Sequence, residues 1–188
     1  MELYQALNER RSLPQLGLPA PDASTLARAF AAAARAPDHR LLRPWRYLVI
    51  QGEALDQLGN LFLKAVSSSD PERAEREGDR LRQMPRRAPM LVVAVLAARE
   101  HATVPEWEQW LSLGASVQNL LLALHGEGYG AMWRTGELAE HPVVLAGLGL
   151  APGERIGGFL YVGTPLADKA APAQPDAIWQ AWPAGQAS

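Results

Sequence analysis

Apolar residues recur at helical spacing along much of the chain. The clearest run extends from Glu106 to His125, and its stripe consists of Trp110, Leu113, Val117, Leu120, Leu121 and Leu124. Leu111 and Leu122 lie off this stripe, so more than one face of the helix is apolar. A helix of this kind is either central in its domain or buried in a subunit contact.

Four further helices are predicted, three before the long one and one after it. Residues 2–10 suit a first helix, and a second begins at Asp22 or Ser24 and ends near Arg35, where Pro37 disfavours helical geometry at the preceding residue. A third runs from Glu53 to about Ser67, with one apolar face formed by Leu55, Leu58, Leu61, Phe62 and Val66. Residues 142–148 predict an additional short helix.

Short apolar runs predict four strands, at residues 46–51, 90–98, 129–134 and 156–163. Residues 70–87 differ from all of these because they carry 11 charges in 18 positions, which indicates a solvated helix or a mobile flap. No internal repeat or domain boundary is visible. We therefore expect a single domain over residues 1–188, with helices covering a modest sheet.

Composition narrows the class of protein. Apolar residues make up 48% of the chain and charged residues 20%, which is usual for a globular protein. The net charge is −2, so the chain lacks the excess of basic residues that is typical of proteins that bind nucleic acid. The absence of cysteine excludes disulfides, thiolate metal sites and thiol nucleophiles. No export signal opens the chain, and the longest apolar run is far short of the roughly 20 residues that span a bilayer. We expect a cytoplasmic protein that binds neither nucleic acid nor membrane.

Three short stations with cationic and hydrogen-bonding groups lie at the ends of predicted elements. They are Arg10-Arg11-Ser12, Arg35 with His39, and Trp133-Arg134-Thr135. Guanidinium forks suit a phosphate, and an arginine beside an indole can lie against an aromatic ring. Simpler interpretations stay open for each station: cations can offset a helix dipole, a loop histidine can be satisfied locally, and an edge arginine can reach water. Together the stations indicate a flat, anionic, phosphate-bearing cofactor.

Several familiar catalytic patterns are absent from the sequence. Gly126-x-Gly128-x-Gly130 lacks the spacing of a dinucleotide fingerprint and precedes a strand, and neither a P-loop nor a nucleophile elbow occurs. The four histidines are too scattered for a known metal motif. Glu106 and Glu108 are interpreted as solvent-facing carboxylates. Without an evident acid/base pair or nucleophile, an enzyme of this sequence would need a bound cofactor to supply its reactivity.

These stretches, in this order, resemble the flavin-dependent nitroreductase family, especially its small single-domain bacterial NAD(P)H nitroreductases. The resemblance runs from residue 1 to about 165. It is carried by Arg10-Arg11-Ser12, Arg35-Ala36-Pro37-Asp38-His39 with Pro44-Trp45, Val104-Pro105-x-Trp107-Glu108-Gln109, Gly128-Tyr129-Gly130 with Trp133-Arg134-Thr135-Gly136, and Gly158-Phe159-Leu160-Tyr161-Val162-Gly163-Thr164-Pro165.

The resemblance implies an α+β fold of the nitroreductase type, with a central mixed β-sheet flanked by helices, a long central helix and an intertwined homodimer holding FMN at its interface. It assigns FMN to Arg10, Arg11 and Ser12 of one subunit, to Arg35 and His39 of the other, and to Trp133, Arg134 and Thr135. It assigns NAD(P)H to Ala123, Leu124, His125, Gly126, Glu127 and Gly128. The segment after about residue 165 is expected to extend along the partner subunit.

The implied activity is an FMN-dependent NAD(P)H oxidoreductase. A nicotinamide would pass a hydride to FMN and then leave, and a small electron-poor acceptor such as a nitroaromatic or a quinone would follow in ping-pong order. Two alternatives stay open: a flavin enzyme of another reaction type (dehalogenation, dehydrogenation or flavin breakdown), and a non-catalytic flavin-binding dimer. The chain departs from the family where Leu13-Pro14-Gln15 follow Ser12, a place where relatives often carry a further arginine.

Overall fold

A computed structural model describes residues 1–167 together with residues 170, 173, 179, 181 and 182. Its helices are α1 Leu3–Glu9, α2 Ala23–Ala33, α3 Glu53–Ser69, α4 Pro71–Gln83, α5 Glu106–Gly126 and α6 Pro142–Gly147. Its strands are β1 Leu16–Gly17, β2 Trp45–Gln51, β3 Met90–Leu96, β4 Gly130–Arg134 and β5 Arg155–Pro165. Single 3-10 turns occupy His39–Leu41, Pro85–Arg87 and Glu137–Ala139. The predicted helices and strands are confirmed, and the two-residue β1 is an addition.

The five strands form one sheet in the order β1-β5-β3-β2, and β4 pairs with β5 beside β1. Every ladder between named strands in the described part is antiparallel. A single parallel bridge joins Ser12 to Ala131. The predicted α+β class is therefore confirmed, while the mixed character expected of the sheet is limited to that one bridge.

Strand β3 is the centre of the core, and all seven of its residues are buried. Because side chains alternate across a strand, its residues divide between two apolar layers. Leu91, Val93 and Val95 pack with α3, α4 and α6, whereas Met90, Val92, Ala94 and Leu96 pack with α2 and α5. The molecule is thus a sheet covered by helices on both faces.

Helix α5 spans one of these faces and carries the predicted apolar stripe. Leu113, Val117, Leu120, Leu121 and Leu124 are buried. Helix α2 runs antiparallel beside α5, since the Ser116 hydroxyl donates to the Ala33 carbonyl at 3.0 Å while Arg28 meets Glu127 at the other end, at 2.8 Å. None of the helices in the described ranges has the length and apolar character required to cross a membrane.

Most of the charged segment 70–87 is helical, as α4, which agrees with the helical alternative, but the helix is packed against the core rather than solvated on all sides. The Asp70 carboxylate caps α4, and Pro71 occupies its first position, where a missing N–H does no harm. Ala74 and Leu81 are buried against α3. Gly59 permits this close packing, because a Cβ there would collide with the backbone carbonyl of Arg82.

The predicted C-terminal tail falls almost entirely outside the described residues. Of its two tryptophans, Trp179 is 79% exposed and Trp182 is 88% exposed. The expected placement of residues 165–188 on a partner subunit stays a prediction.

Candidate functional site

The first corner of the candidate site lies where α1 leads into the sheet. Helix α1 ends at Glu9, and Arg10 adopts an extended conformation with φ of −58° and ψ of 127°. Ser12 then forms the parallel bridge to Ala131, and the N–H of Leu13 donates to the Ala131 carbonyl at 3.0 Å. Backbone pairing with β4 therefore fixes the segment Arg10-Arg11-Ser12 beside the sheet.

A cavity of about 370 Å³ opens at this corner and is lined by Arg11, His125, Gly128 and Tyr129, among others. The Nε2 atom of His125 is buried and has no hydrogen-bond partner within the described residues. Burial lowers the pKa of His125, and repulsion from Arg11 lowers it further. The corner is thus a positively charged recess in which the imidazole favours its neutral form, and an anion would relieve the repulsion.

The segment 123–128, expected to contact the nicotinamide nucleotide, forms the C-terminal turn of α5. Leu124 is fully buried, and Glu127 is held by a bidentate pair with Arg28 at 2.8 and 2.9 Å. His125 and Gly128 instead line the cavity. Only part of the segment is therefore in a position to contact a ligand from this cavity.

Strand β4 carries the station Trp133-Arg134-Thr135 but places its first two side chains on opposite faces. Trp133 lies opposite Leu160 on the α5 face, is 38% exposed, and donates from Nε1 to the Gly157 carbonyl at 3.1 Å. Arg134 lies on the other face, where its guanidinium is 3.7 Å from the sulfur of Met132. A ligand reaching both side chains would have to pass around the edge of the sheet.

Thr135 follows the last residue of β4 and lines a groove beside α4. Arg73, Arg80 and Glu137 line the same groove. Arg73 forms an ion pair with Glu137, so the two charges offset each other. The charged helix α4 is consequently a neighbour of this station, which the sequence did not indicate.

The second corner lies near the N-terminal end of α5 and contains Arg35 and the loop 38–43. Arg35 is exposed just after α2. Arg40, Leu41 and Arg43 have positive φ angles of 64°, 54° and 49°, which side chains other than glycine rarely adopt. The Asp38 carboxylate accepts the N–H of Arg43 at 2.6 Å and closes the loop. Local strain of this kind is typical of functional sites.

His39 is bound to the first turn of α5. Its Nδ1 lies 2.7 Å from Oε2 of Glu108. The interpretation of Glu108 as a solvent-facing carboxylate is therefore wrong, because its side chain is 28% exposed and holds the ring. Sequence reasoning missed this pair because 69 residues separate the partners and no local pattern joins them. Glu106, in the same turn, pairs instead with Arg155 at 2.8 Å.

The two corners lie at opposite ends of α5. His125 follows Glu108 by 17 residues, which at the rise of an α-helix is a separation of about 25 Å. Near the N-terminal corner, Trp107 and Leu111 expose 62% and 65% of their surface in the first two turns of α5, and α1 exposes Leu3, Tyr4 and Leu7. Large apolar side chains grouped in this way are typical of protein interfaces.

Comparison with known proteins gives a family and close relatives. The family model described as the nitroreductase family matches residues 7–164. The protein named "Putative NAD(P)H nitroreductase YdjA" of Escherichia coli K12 is 36% identical to this chain over 166 residues, which cover 88% of this chain and 89% of that protein. Each corner described above lies within the matched residues.

Solved structures share the fold. The crystal structure of a nitroreductase-like family protein from Bacillus cereus has a TM-score of 0.77 at 25% identity and covers 94% of this chain and 91% of that chain. A structure described as a "putative nitroreductase in complex with FMN" from Desulfovibrio desulfuricans has a TM-score of 0.72 at 22% identity, with coverages of 97% and 99%. The predicted nitroreductase-like fold is thus confirmed.

Proposed function

The chain belongs to the nitroreductase family, and from this premise we propose that it is an FMN-dependent NAD(P)H oxidoreductase acting as a homodimer. One observation carries the proposal: two corners bearing cationic side chains lie about 25 Å apart at the ends of one helix, and the first two turns of that helix expose Trp107 and Leu111. The name of the Escherichia coli relative supports the nicotinamide donor, and the FMN complex of the structural neighbour supports the flavin.

A two-fold axis explains how the corners would meet. Two copies of α5 that pack face to face about an axis perpendicular to the helix run in opposite directions, so the N-terminal end of one approaches the C-terminal end of the other. Arg10, Arg11 and Ser12 of one subunit would then lie near Arg35 and His39 of its partner. The exposed Trp107 and Leu111 would be buried in this contact.

The residues fit an anionic cofactor such as FMN. The guanidinium groups of Arg10 and Arg11 would hold the phosphate, and the Ser12 hydroxyl would contact the ribityl chain. The buried Nε2 of His125, which has no partner in the described part of the chain, adds a polar group to the same recess. A cofactor that passes around the edge of the sheet at β4 would contact Trp133 on one face and Arg134 on the other, with Thr135 beyond the strand.

The chain's own contribution to the reaction is positioning and charge. FMN held by these residues would supply the redox chemistry between NAD(P)H and a nitroaromatic, a quinone or a similar electron-poor acceptor. Arg10, Arg11 and Arg35 would stabilise negative charge that develops on the cofactor, and fixed side chains would position it for reaction. We assign the nicotinamide nucleotide to residues 123–128, of which Gly128 lines the cavity.

A visible spectrum tests the proposal. Purified protein should show flavin absorbance and release one FMN per chain on denaturation. Anaerobic NADH or NADPH should bleach the flavin, and a nitroaromatic or quinone should restore it. Colourless protein that does not take up added FMN would contradict the proposal. Flavin that neither donor bleaches would favour another flavin reaction, and bound flavin without turnover on any acceptor would favour a binding protein.

A further inference from the structure

The contact between His39 and Glu108 determines which nitrogen of the His39 imidazole carries a proton. An ionised carboxylate only accepts hydrogen bonds, so the Nδ1 atom that lies 2.7 Å from Glu108 must carry a proton. Nε2 lies on the opposite edge of the ring and makes no hydrogen bond with the described residues. It is consequently the ring nitrogen that can contact another molecule.

We propose that Glu108 is a positioning residue for FMN: it fixes the rotamer and the proton of His39 so that Nε2 is presented to the cofactor held by the partner subunit. This inference rests on the proposed function. It adds a residue that contacts no cofactor itself and acts through His39.

The structure distinguishes this pair from an ordinary surface ion pair. Glu108 belongs to the rigid first turn of α5, whereas His39 belongs to a loop with three positive-φ residues. A charged partner on a rigid helix restrains such a loop, and the helix N-terminus favours a carboxylate at this place. Asp38 ties the loop backbone through Arg43, and Glu108 ties the ring. The two contacts therefore act on different parts of the same loop.

Its place beside the exposed apolar residues strengthens the argument. Trp107 and Leu111, the neighbours of Glu108 along and around the helix, are 62% and 65% exposed in the single chain. When a second copy covers them, water would be displaced from the pair, and its electrostatic attraction would increase. Glu108 would thus link the orientation of His39 to the formation of the dimer.

A double-mutant cycle on FMN affinity is the first test. We expect His39→Ala and Glu108→Ala each to raise the FMN dissociation constant of the dimer by about tenfold, as the loss of a charge-assisted contact does. The double variant should also be about tenfold weaker than wild type, because both changes remove the same contact. Isothermal titration of the apoprotein with FMN gives all four constants.

Glu106→Ala is the matched control. This carboxylate lies in the same helical turn, but it contacts Arg155 and the indole N–H of Trp110 instead of His39. Glu106→Ala should change the FMN dissociation constant only slightly. In the double variant with His39→Ala, the two factors should multiply, because the residues do not share a contact. If Glu108→Ala left the affinity unchanged, or if its effect multiplied with that of His39→Ala to about a hundredfold, the positioning role would be overturned.

The second test needs no FMN. Two-bond ¹H–¹⁵N spectra of the apoprotein should show the neutral form of His39 with its proton on Nδ1, and Glu108→Ala should move that proton toward the mixture found in unrestrained histidines. An unchanged tautomer would contradict the inference. Wild-type protein that binds no FMN would overturn the proposed function together with this role, whereas FMN binding that is insensitive to Glu108 would overturn this role alone.

Discussion

The two ends of α5 hold similar groups in different ways. At the C-terminal end, Ser12 and Leu13 pair with Ala131 through the backbone, so Arg10 and Arg11 are attached to the sheet itself. At the N-terminal end, the carboxylates of Asp38 and Glu108 hold a strained loop through side chains. The first corner is therefore built from the backbone of the sheet, whereas the second depends on side-chain contacts of a surface loop.

Because of this difference, changes at the two corners should differ in how they affect the stability of the fold and the binding of a ligand. At the C-terminal corner the segment is part of the sheet, so a change that disrupted its backbone pairing would affect both the free energy of unfolding and ligand binding. Changes at the N-terminal corner remove single side-chain contacts and leave the core intact. Because the corners are about 25 Å apart in one chain, both kinds of change should reach the same FMN only through a second copy.

The largest effect is expected between the corners. Leu111→Asp would place a charge in the proposed contact between two copies of α5, and a charge buried without a partner is strongly unfavourable. We expect the dimer dissociation constant to rise by at least about a hundredfold and FMN to be lost, while the monomer keeps its fold because Leu111 is 65% exposed. Sedimentation velocity and circular dichroism measure both outcomes.

Leu111→Ala is the control for this prediction. It removes apolar area without adding a charge, so the dimer and its flavin should persist. A Leu111→Asp variant that remained a dimer with full FMN content would place the subunit contact elsewhere on the surface.

A smaller effect is expected at the strained loop. Asp38→Ala would leave the Arg43 N–H without its acceptor, and the loop carrying His39 would relax. The loss of one such hydrogen bond corresponds to about 1 kcal/mol, so FMN affinity should fall by roughly fivefold with little change in melting temperature. Titration with FMN and thermal unfolding give the two quantities.

Asp22→Ala provides the converse case. The Asp22 carboxylate caps α2 by accepting the Thr25 N–H at 2.7 Å. Its removal should lower the free energy of unfolding by about 1 kcal/mol and leave FMN affinity unchanged. If Asp38→Ala instead lowered stability as much as Asp22→Ala does, the loop would belong to the fold and the contrast between the corners would fail.

The same contrast explains what could be predicted from the sequence. The helix α5 and the strand β3 could be predicted from the apolar stripe of the first and the β-branched run of the second. Apolar positions recur along the face of an element that is buried, so their pattern identifies that face. The cationic stations could be located because they lie at element ends. The family resemblance, now confirmed, came from their order along the chain.

The contacts between distant residues could not be predicted. The pair of His39 and Glu108 depends on how α5 lies against a loop, and each residue by itself is an ordinary surface side chain. The packing of α4 was equally hidden, since its burial depends on two apolar residues and on the close approach that Gly59 permits. Strand β1 has only two residues and therefore has no periodicity to detect.

The smallest effect concerns pH at the C-terminal corner. Because the pKa of His125 is lowered in the folded protein, the unfolded chain binds its proton first as pH falls through about 6.5. This group therefore lowers the free energy of unfolding in that window, and His125→Gln should flatten the dependence measured by urea unfolding between pH 7.5 and 5.5 (approximate limits).

Bound FMN sharpens the pH prediction. A phosphate held by Arg10 and Arg11 would offset their repulsion of the imidazole and raise the pKa of His125. An NMR titration of His125 with and without FMN measures this change. An identical titration in both states would place the phosphate away from this corner.

Subunit complementation tests the central claim most directly. Arg10→Ala and Arg35→Ala homodimers should each bind FMN poorly. In a heterodimer of the two variants, one site receives both substitutions and the other receives neither. The account predicts one FMN per heterodimer at wild-type affinity, half the wild-type number. If every heterodimer site were instead impaired and none had wild-type affinity, Arg10 and Arg35 would serve one site within a single chain, and the account would be contradicted.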